Sequence, residues 1–158
     1  MGEGFRLPMT EVSFYHLQRV GLERALPKLL EKALERGLRA LVVAGSDGRV
    51  ESLNGALWTY DSASFLPHGG KADGFAADQP IYLTTDPAEN PNGAKMLVLT
   101  DGVSFSDISS FERVLDVFDG NDAEAVEAAR GRWKTLQAGG HVLTYWQQTD
   151  AGGWEKKT

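Results

Sequence analysis

Residues Leu38–Ala44 read LRALVVA, apolar at every position but Arg39. A near-continuous apolar run of this length predicts a strand buried on both faces, because a strand with one wet face alternates. Met96–Thr100, MLVLT, is a second such run. Strands of that kind need cover above and below, and the sequence around them supplies it. Leu22, Leu26, Leu29, Leu30, Ala33 and Leu34 recur at helical spacing, with Glu23, Lys28, Glu31, Lys32 and Glu35 opposite. Gly37 is a natural helix stop. Pro27 fits this helix if the helix begins near Arg24, where a missing N–H costs little.

Outward from that centre, Glu11–Gln18 reads as a strand and Val50–Trp58 as a second helix. Lys71–Gln79, rich in glycine and alanine, reads as a mobile surface excursion. Pro80–Thr84 and Lys95–Thr100 are strands separated by a turn at Asp86–Gly93. Ile108, Phe111, Val114, Leu115 and Phe118 stand at helical spacing, which predicts a helix over Asp107–Asp119. Asp122–Ala138 is another helix, ended by Gly139–Gly140, and His141–Gln147 is a last strand. The order β-α-β-α-β-β-α-α-β predicts one domain over residues 1–158, with 1–10 and 150–158 as flexible termini. The expected fold is α/β, a three-layer α/β/α sandwich around a mostly parallel sheet, Rossmann-like but without a dinucleotide motif.

Ligands in such folds sit off the carboxyl ends of the strands. Gly45–Gly48 and Asp101 are therefore the rim on which a nucleotide-binding or hydrolytic enzyme would build its site. GSDG is neither a phosphate loop nor a dinucleotide turn, and Asp101 has no identifiable partner, so turn and capping roles fit both better. His16, His68 and His141 are scattered singly, and no G-x-S-x-G elbow is present. There are no cysteines, which removes disulfides, thiolate nucleophiles and cysteine-bound metals. The expectation is a protein with no catalytic residues, no metal and no cofactor.

The chain carries 16 basic and 22 acidic residues. Residues 121–158 are balanced at five of each, so residues 1–120 hold the whole excess, 17 acidic against 11 basic. An acidic chain is poorly suited to coat DNA phosphates, so any contact with DNA is expected to be indirect. No apolar run approaches a bilayer span and the N-terminus has no secretory pattern, so a cytoplasmic protein without membrane contact is expected.

Two stretches carry interaction chemistry. On the helix Asp122–Ala138, projected at about 100° per residue, Ala129 and Leu136 mark the core stripe. Trp133 follows about 40° beyond Ala129. Arg130 and Lys134 lie on the neighbouring face, with Val126 and Gln137 between. An apolar spot walled by cations suits a peptide ending in an aromatic residue and a carboxylate. The other stretch is Ala56–His68, ALWTYDSASFLPH, where Trp58 and Phe65 are large apolar anchors in turn-forming surroundings and His68 serves to fix the loop.

These residues carry a resemblance. ALWTYDSASFLPH is similar to the signature of the chi subunit of bacterial DNA polymerase III. FYHL, the helix ending in glycine before LVVA, and the helix with ARGRWKTLQAGG follow in the order of that family. The resemblance implies a non-catalytic subunit of the clamp-loader complex that binds the acidic C-terminal tail of single-stranded-DNA-binding protein. It also implies a psi subunit as partner in organisms that have one. By motif match the tail-binding role falls on Trp58, Phe65, Phe118, Arg130, Trp133 and Lys134. Val126 replaces a further lysine of the family, which thins the cationic rim. Trp58, Phe65 and Arg130 are expected to converge on one partly exposed concave surface.

Overall fold

The computed structural model describes residues 10–59, 68–70, 76–86, 88–103, 108 and 110–157. Among these residues eight strands form one sheet: β1 (Glu11–Leu17), β2 (Ala40–Val43), β3 (Gly69–Gly70), β4 (Ile81–Thr84), β5 (Met96–Leu99), β6 (Arg113–Asp119), β7 (Val142–Gln148) and β8 (Trp154–Lys156). Their order across the sheet is β3-β4-β2-β5-β6-β1-β7-β8. Every pairing is parallel except β7 with β8. Helices α1 (Leu22–Glu35), α2 (Asp47–Thr59) and α3 (Ala123–Ala138) complete the α/β sandwich.

Alternation along the strands divides the core. Ala40 and Val42 of β2 pack with Leu26, Leu30, Leu53 and Leu57, so α1 and α2 share one face. Leu41 and Val43 join Phe14, Phe118 and Ala129 on the other face, under α3. The helix ends are set by local chemistry. Gly21 closes the first turn of α1 through its carbonyl, and α1 starts at Leu22, before the expected Arg24. Pro27 therefore lies in the second turn and is buried there. Gly37, at φ 75°, ends α1 with Leu38 N–H on Ala33 and Gly37 N–H on Leu34, both 2.9 Å. Asp122 caps α3, its Oδ1 accepting from Glu124 N at 3.0 Å and Ala125 N at 3.4 Å.

The expected helix over Asp107–Asp119 is corrected. Arg113–Asp119 is β6, between β5 and β1. A strand buried on both faces has apolar residues on both sides, here Val114, Leu115, Val117 and Phe118, and so satisfies helical spacing as easily as its own. What disguised it is Asp116, a carboxylate in the middle of the run and only 3% exposed. Arg132 of α3 answers it with two bonds, Nε to Oδ2 at 2.6 Å and Nη2 to Oδ1 at 3.0 Å. Of the terminal stretch 150–158, Trp154–Lys156 pairs with Trp146–Gln148 as β8. Most of the Lys71–Gln79 excursion lies outside the described residues; Ala76–Asp78 forms a 3-10 turn.

Burial pushes the Asp116 carboxyl above the ordinary carboxylate range, while the Arg132 bond and charge pull it back. Replacing Arg132 by leucine leaves that carboxylate buried without its partner. Urea denaturation of Arg132→Leu at pH 7 is expected to show a loss of about 3 kcal/mol. At pH 5 the loss shrinks, because Asp116 can then take up a proton.

Candidate functional site

The side of β1, β6 and β7 that faces α3 is lined with rings. Phe14 meets Trp133 edge-to-face at 5.3 Å. Trp133 in turn meets Tyr145 at 6.0 Å, and Phe118 meets His16 at 5.2 Å and Tyr145 at 6.1 Å. His16 Nδ1 and the Tyr145 hydroxyl are hydrogen-bonded at 2.6 Å. Val126, Trp133 and Leu136 pack onto this cluster while remaining partly accessible.

Arg130 stands above it, with 69% of its side chain exposed and Glu127 at 3.5 Å as a surface partner. Its charge reaches both His16 and Tyr145. Lys134, one turn further along α3, is also exposed. The His16 imidazole is held below its usual range, first by burial and then by Arg130, against Asp119 and a backbone bond at Gly120. Burial raises the Tyr145 phenol and Arg130 lowers it. The result is an aromatic surface whose polar members, His16 and Tyr145, feel the Arg130 charge, with Lys134 exposed one turn along α3.

Arg130, Trp133 and Lys134 thus come together on α3, with Phe118 beneath. Phe118 is 4% exposed and forms part of the buried floor of this surface. His16 and Tyr145 were missed by sequence reading. Alternation along β7 puts Leu143 and Tyr145 on one face, but only the β1–β7 pairing brings Tyr145 beside His16.

Trp58 is elsewhere, and the single concave surface expected for Trp58 and Arg130 does not form. Trp58 lies in the last turn of α2, on the opposite face of the sheet, packed edge-to-face on His68 at 4.9 Å beside edge strand β3. From β4, under α2, to β6, under α3, is three strand spacings, roughly 14 Å. The indole is 56% exposed. Phe65 lies outside the described residues.

The strand-end rim is occupied from within the chain. Asp101, at φ 55°, accepts from Gly45 N at 3.0 Å and from Arg49 Nε at 3.1 Å. Arg49 also reaches Glu23 at 3.1 Å, so one arginine ties α1, α2 and the β5 loop. At the end of β1, the successive N–H groups of Gln18, Arg19 and Val20 converge as an anion nest would. Their acceptor is the buried amide oxygen of Gln148, at 3.1, 2.7 and 3.1 Å. Among the described residues, no group of three or more acidic or histidine side chains is placed to hold a metal, and no helix is long and apolar enough to cross a membrane.

The fold and these sites define a class: an α/β protein whose strand-end groups hold its own loops and whose accessible chemistry is a cationic, aromatic surface. The family model described as DNA polymerase III chi subunit, HolC, matches residues 9–144. The chain belongs to that family, whose members are accessory subunits of a replicative polymerase. It is 34% identical over 110 residues to the "Probable DNA polymerase III subunit chi" of Rickettsia prowazekii (strain Madrid E), a match covering 70% of this chain and 66% of that protein. To the "DNA polymerase III subunit chi" of Escherichia coli (strain K12) it is 26% identical over 143 residues, 85% of this chain and 96% of that one.

The lowered His16 value has a definite sign in stability. The fold prefers the neutral ring, so the unfolded chain binds more protons as pH falls through about 6.5. His16 therefore contributes stability at pH 7 that is lost on acidification. In melts at pH 7 and pH 5, His16→Gln is expected to lose less stability between the two than the unaltered protein; an identical loss would count against this role.

Proposed function

We propose that the protein is a non-catalytic subunit of the DNA polymerase III holoenzyme that links the clamp loader to single-stranded-DNA-binding protein, whose acidic C-terminal tail it holds against α3. The observation that carries this reading is Arg130 exposed on α3 with its charge reaching His16 and Tyr145 beside the Trp133 ring, and Lys134 exposed one turn further along the helix. In a chain of net charge -6, cations beside aromatic rings are a local exception. Arginine can take a terminal carboxylate in a two-bonded grip, and an aromatic end residue has ring edges to pack on. Exposed charge pairs contribute little each, so the apolar end of the tail supplies most of the affinity. With Val126 where a further cation would help, binding is weak, on the order of micromolar, and sensitive to salt.

A linker needs two separated surfaces. Trp58 offers the second, on the far side of the sheet from Arg130, and it suits the clamp-loader side of the link, a psi subunit where one is present. The role of Phe65 in tail binding rests on the resemblance alone. Asp101 and Gly45, the groups an enzyme would need at the rim, are engaged with each other, which supports the non-catalytic reading.

A labelled acidic peptide ending in Pro-Phe, followed by fluorescence anisotropy at low salt, tests the assignment. Arg130→Ala is expected to weaken binding about tenfold, the size of one charge-assisted bond, and Lys134→Ala by about twofold. Trp58→Ala leaves it unchanged. Equal binding by Arg130→Ala and the unaltered protein, or no saturable binding at all, would remove the proposal.

A further inference from the structure

On the side away from α3, Leu17 and Tyr15 of β1 pack into the core that α1 shares. α3 lies over Phe14 and Tyr145, whereas α1 leaves the end of β1 toward β2. On the α1 side, among the described residues, Thr144 and Trp146 of β7 and Trp154 of β8 are partly exposed and Lys156 is exposed. Tyr15 and Trp146 are register partners on adjacent strands. Their ring planes are 10° apart and their centroids 6.3 Å apart. Trp154 meets Tyr15 edge-on at 5.0 Å. Ser13 and Thr144, also register partners, are joined by a 2.8 Å hydrogen bond beside the rings.

Cations border these rings. Lys32 and Arg36 of α1 and Arg113 of β6 line the same hollow of about 290 Å³ as Tyr15, Trp146 and Trp154. Lys156 is the register partner of Trp146. Glu11 is the only carboxylate lining the hollow among the described residues, and it is paired with Arg113 at 3.4 Å. Glu155, on the alternate side of β8, pairs with Lys157 at 2.9 Å. The whole chain is acidic, but this face is locally basic.

We propose that this sheet face binds single-stranded nucleic acid, with a base stacked on the partly exposed Trp146 indole and phosphates held by Lys32, Arg36 and Lys156. Tyr15 lies stacked beside Trp146 and braces it, and a braced indole can take an unstacked base of any kind because each base has a π-face. A duplex hides its bases and gains only the charge contacts. An acidic peptide would satisfy the cations but leave no role for the braced indole. The site lies on the sheet face opposite Arg130, so it works independently of the tail-binding reading. Three phosphate contacts give a salt slope of about -2 for a single strand. The acidic remainder of the chain confines such binding to low salt.

The test uses a fluorescein-labelled oligothymidylate of twelve nucleotides and anisotropy at 20 and 100 mM salt. Saturable binding to the single strand, at least fivefold tighter than to a duplex of equal length, is the expected result. Trp146→Ala is expected to weaken it about tenfold, the size of one lost base stack. Trp146→Phe restores most of it, and the surface double variant Lys32→Glu/Arg36→Glu weakens it similarly without touching the core. No binding at 20 mM salt, or binding unchanged by both Trp146→Ala and the charge reversal, overturns the proposal. So does displacement of the oligonucleotide by the acidic Pro-Phe peptide through this face, seen as loss of peptide binding in Trp146→Ala. Arg130→Ala, which weakens the peptide, is expected to leave the oligonucleotide in place, so the two readings stand or fall separately.

Discussion

The Arg132–Asp116 pair is the constraint on which the α3 surface depends. α3 is a weakly amphipathic helix: Ala129 is its buried residue, and Val126, Trp133 and Leu136 are only partly covered. Apolar burial alone gives it a shallow seat. A two-bonded ion pair between its middle and the middle of β6 fixes both its rotation and its position along the strand. That rotation decides that Trp133 turns toward Phe14 and Tyr145 while Arg130 and Lys134 stay in solvent. Buried pairs of this kind add little net stability against an apolar alternative. What this one supplies is orientation, and orientation is what a binding surface on a helix needs.

The same sheet serves different surfaces because its helices are unevenly shared. β1 sends α1 one way and β6 sends α3 the other, so β1 and β6 separate in opposite directions at their carboxyl ends. In an α/β enzyme that divergence opens a ligand crevice. Here Gln148 fills the N–H nest at the end of β1, and Asp101 is held by Gly45 and Arg49. The chain has turned a binding architecture into a brace. The accessible aromatic and cationic groups lie instead on α3, at the end of α2 and on β7 and β8.

Much of this was legible in the residues. Leu38–Ala44 and Met96–Thr100 announced the parallel sheet, and Gly37, Asp122 and Gly139–Gly140 marked helix ends whose chemistry is local. The Arg130–Trp133–Lys134 grouping was legible too, because helix geometry alone sets it. β6 was not, since a strand buried on both faces has no period of its own and Asp116 needs a partner sixteen residues away. Tyr145 beside His16 depends on a strand pairing across 129 positions. The joining of Trp58 to Arg130 failed for a related reason. A motif resemblance collects residues by shared importance and is blind to which face of a sheet each one occupies.

The central claim is that acidic-tail binding belongs to α3 and to no other surface. The protein has four tryptophans, Trp58, Trp133, Trp146 and Trp154, distributed over the three surfaces. Each gives one indole N–H signal, so a titration of ¹⁵N-labelled protein with the unlabelled Pro-Phe peptide reports on all of them in one spectrum. The account predicts that the Trp133 signal moves with peptide concentration while those of Trp58, Trp146 and Trp154 stay fixed. Movement of Trp58 with Trp133 unchanged would contradict it.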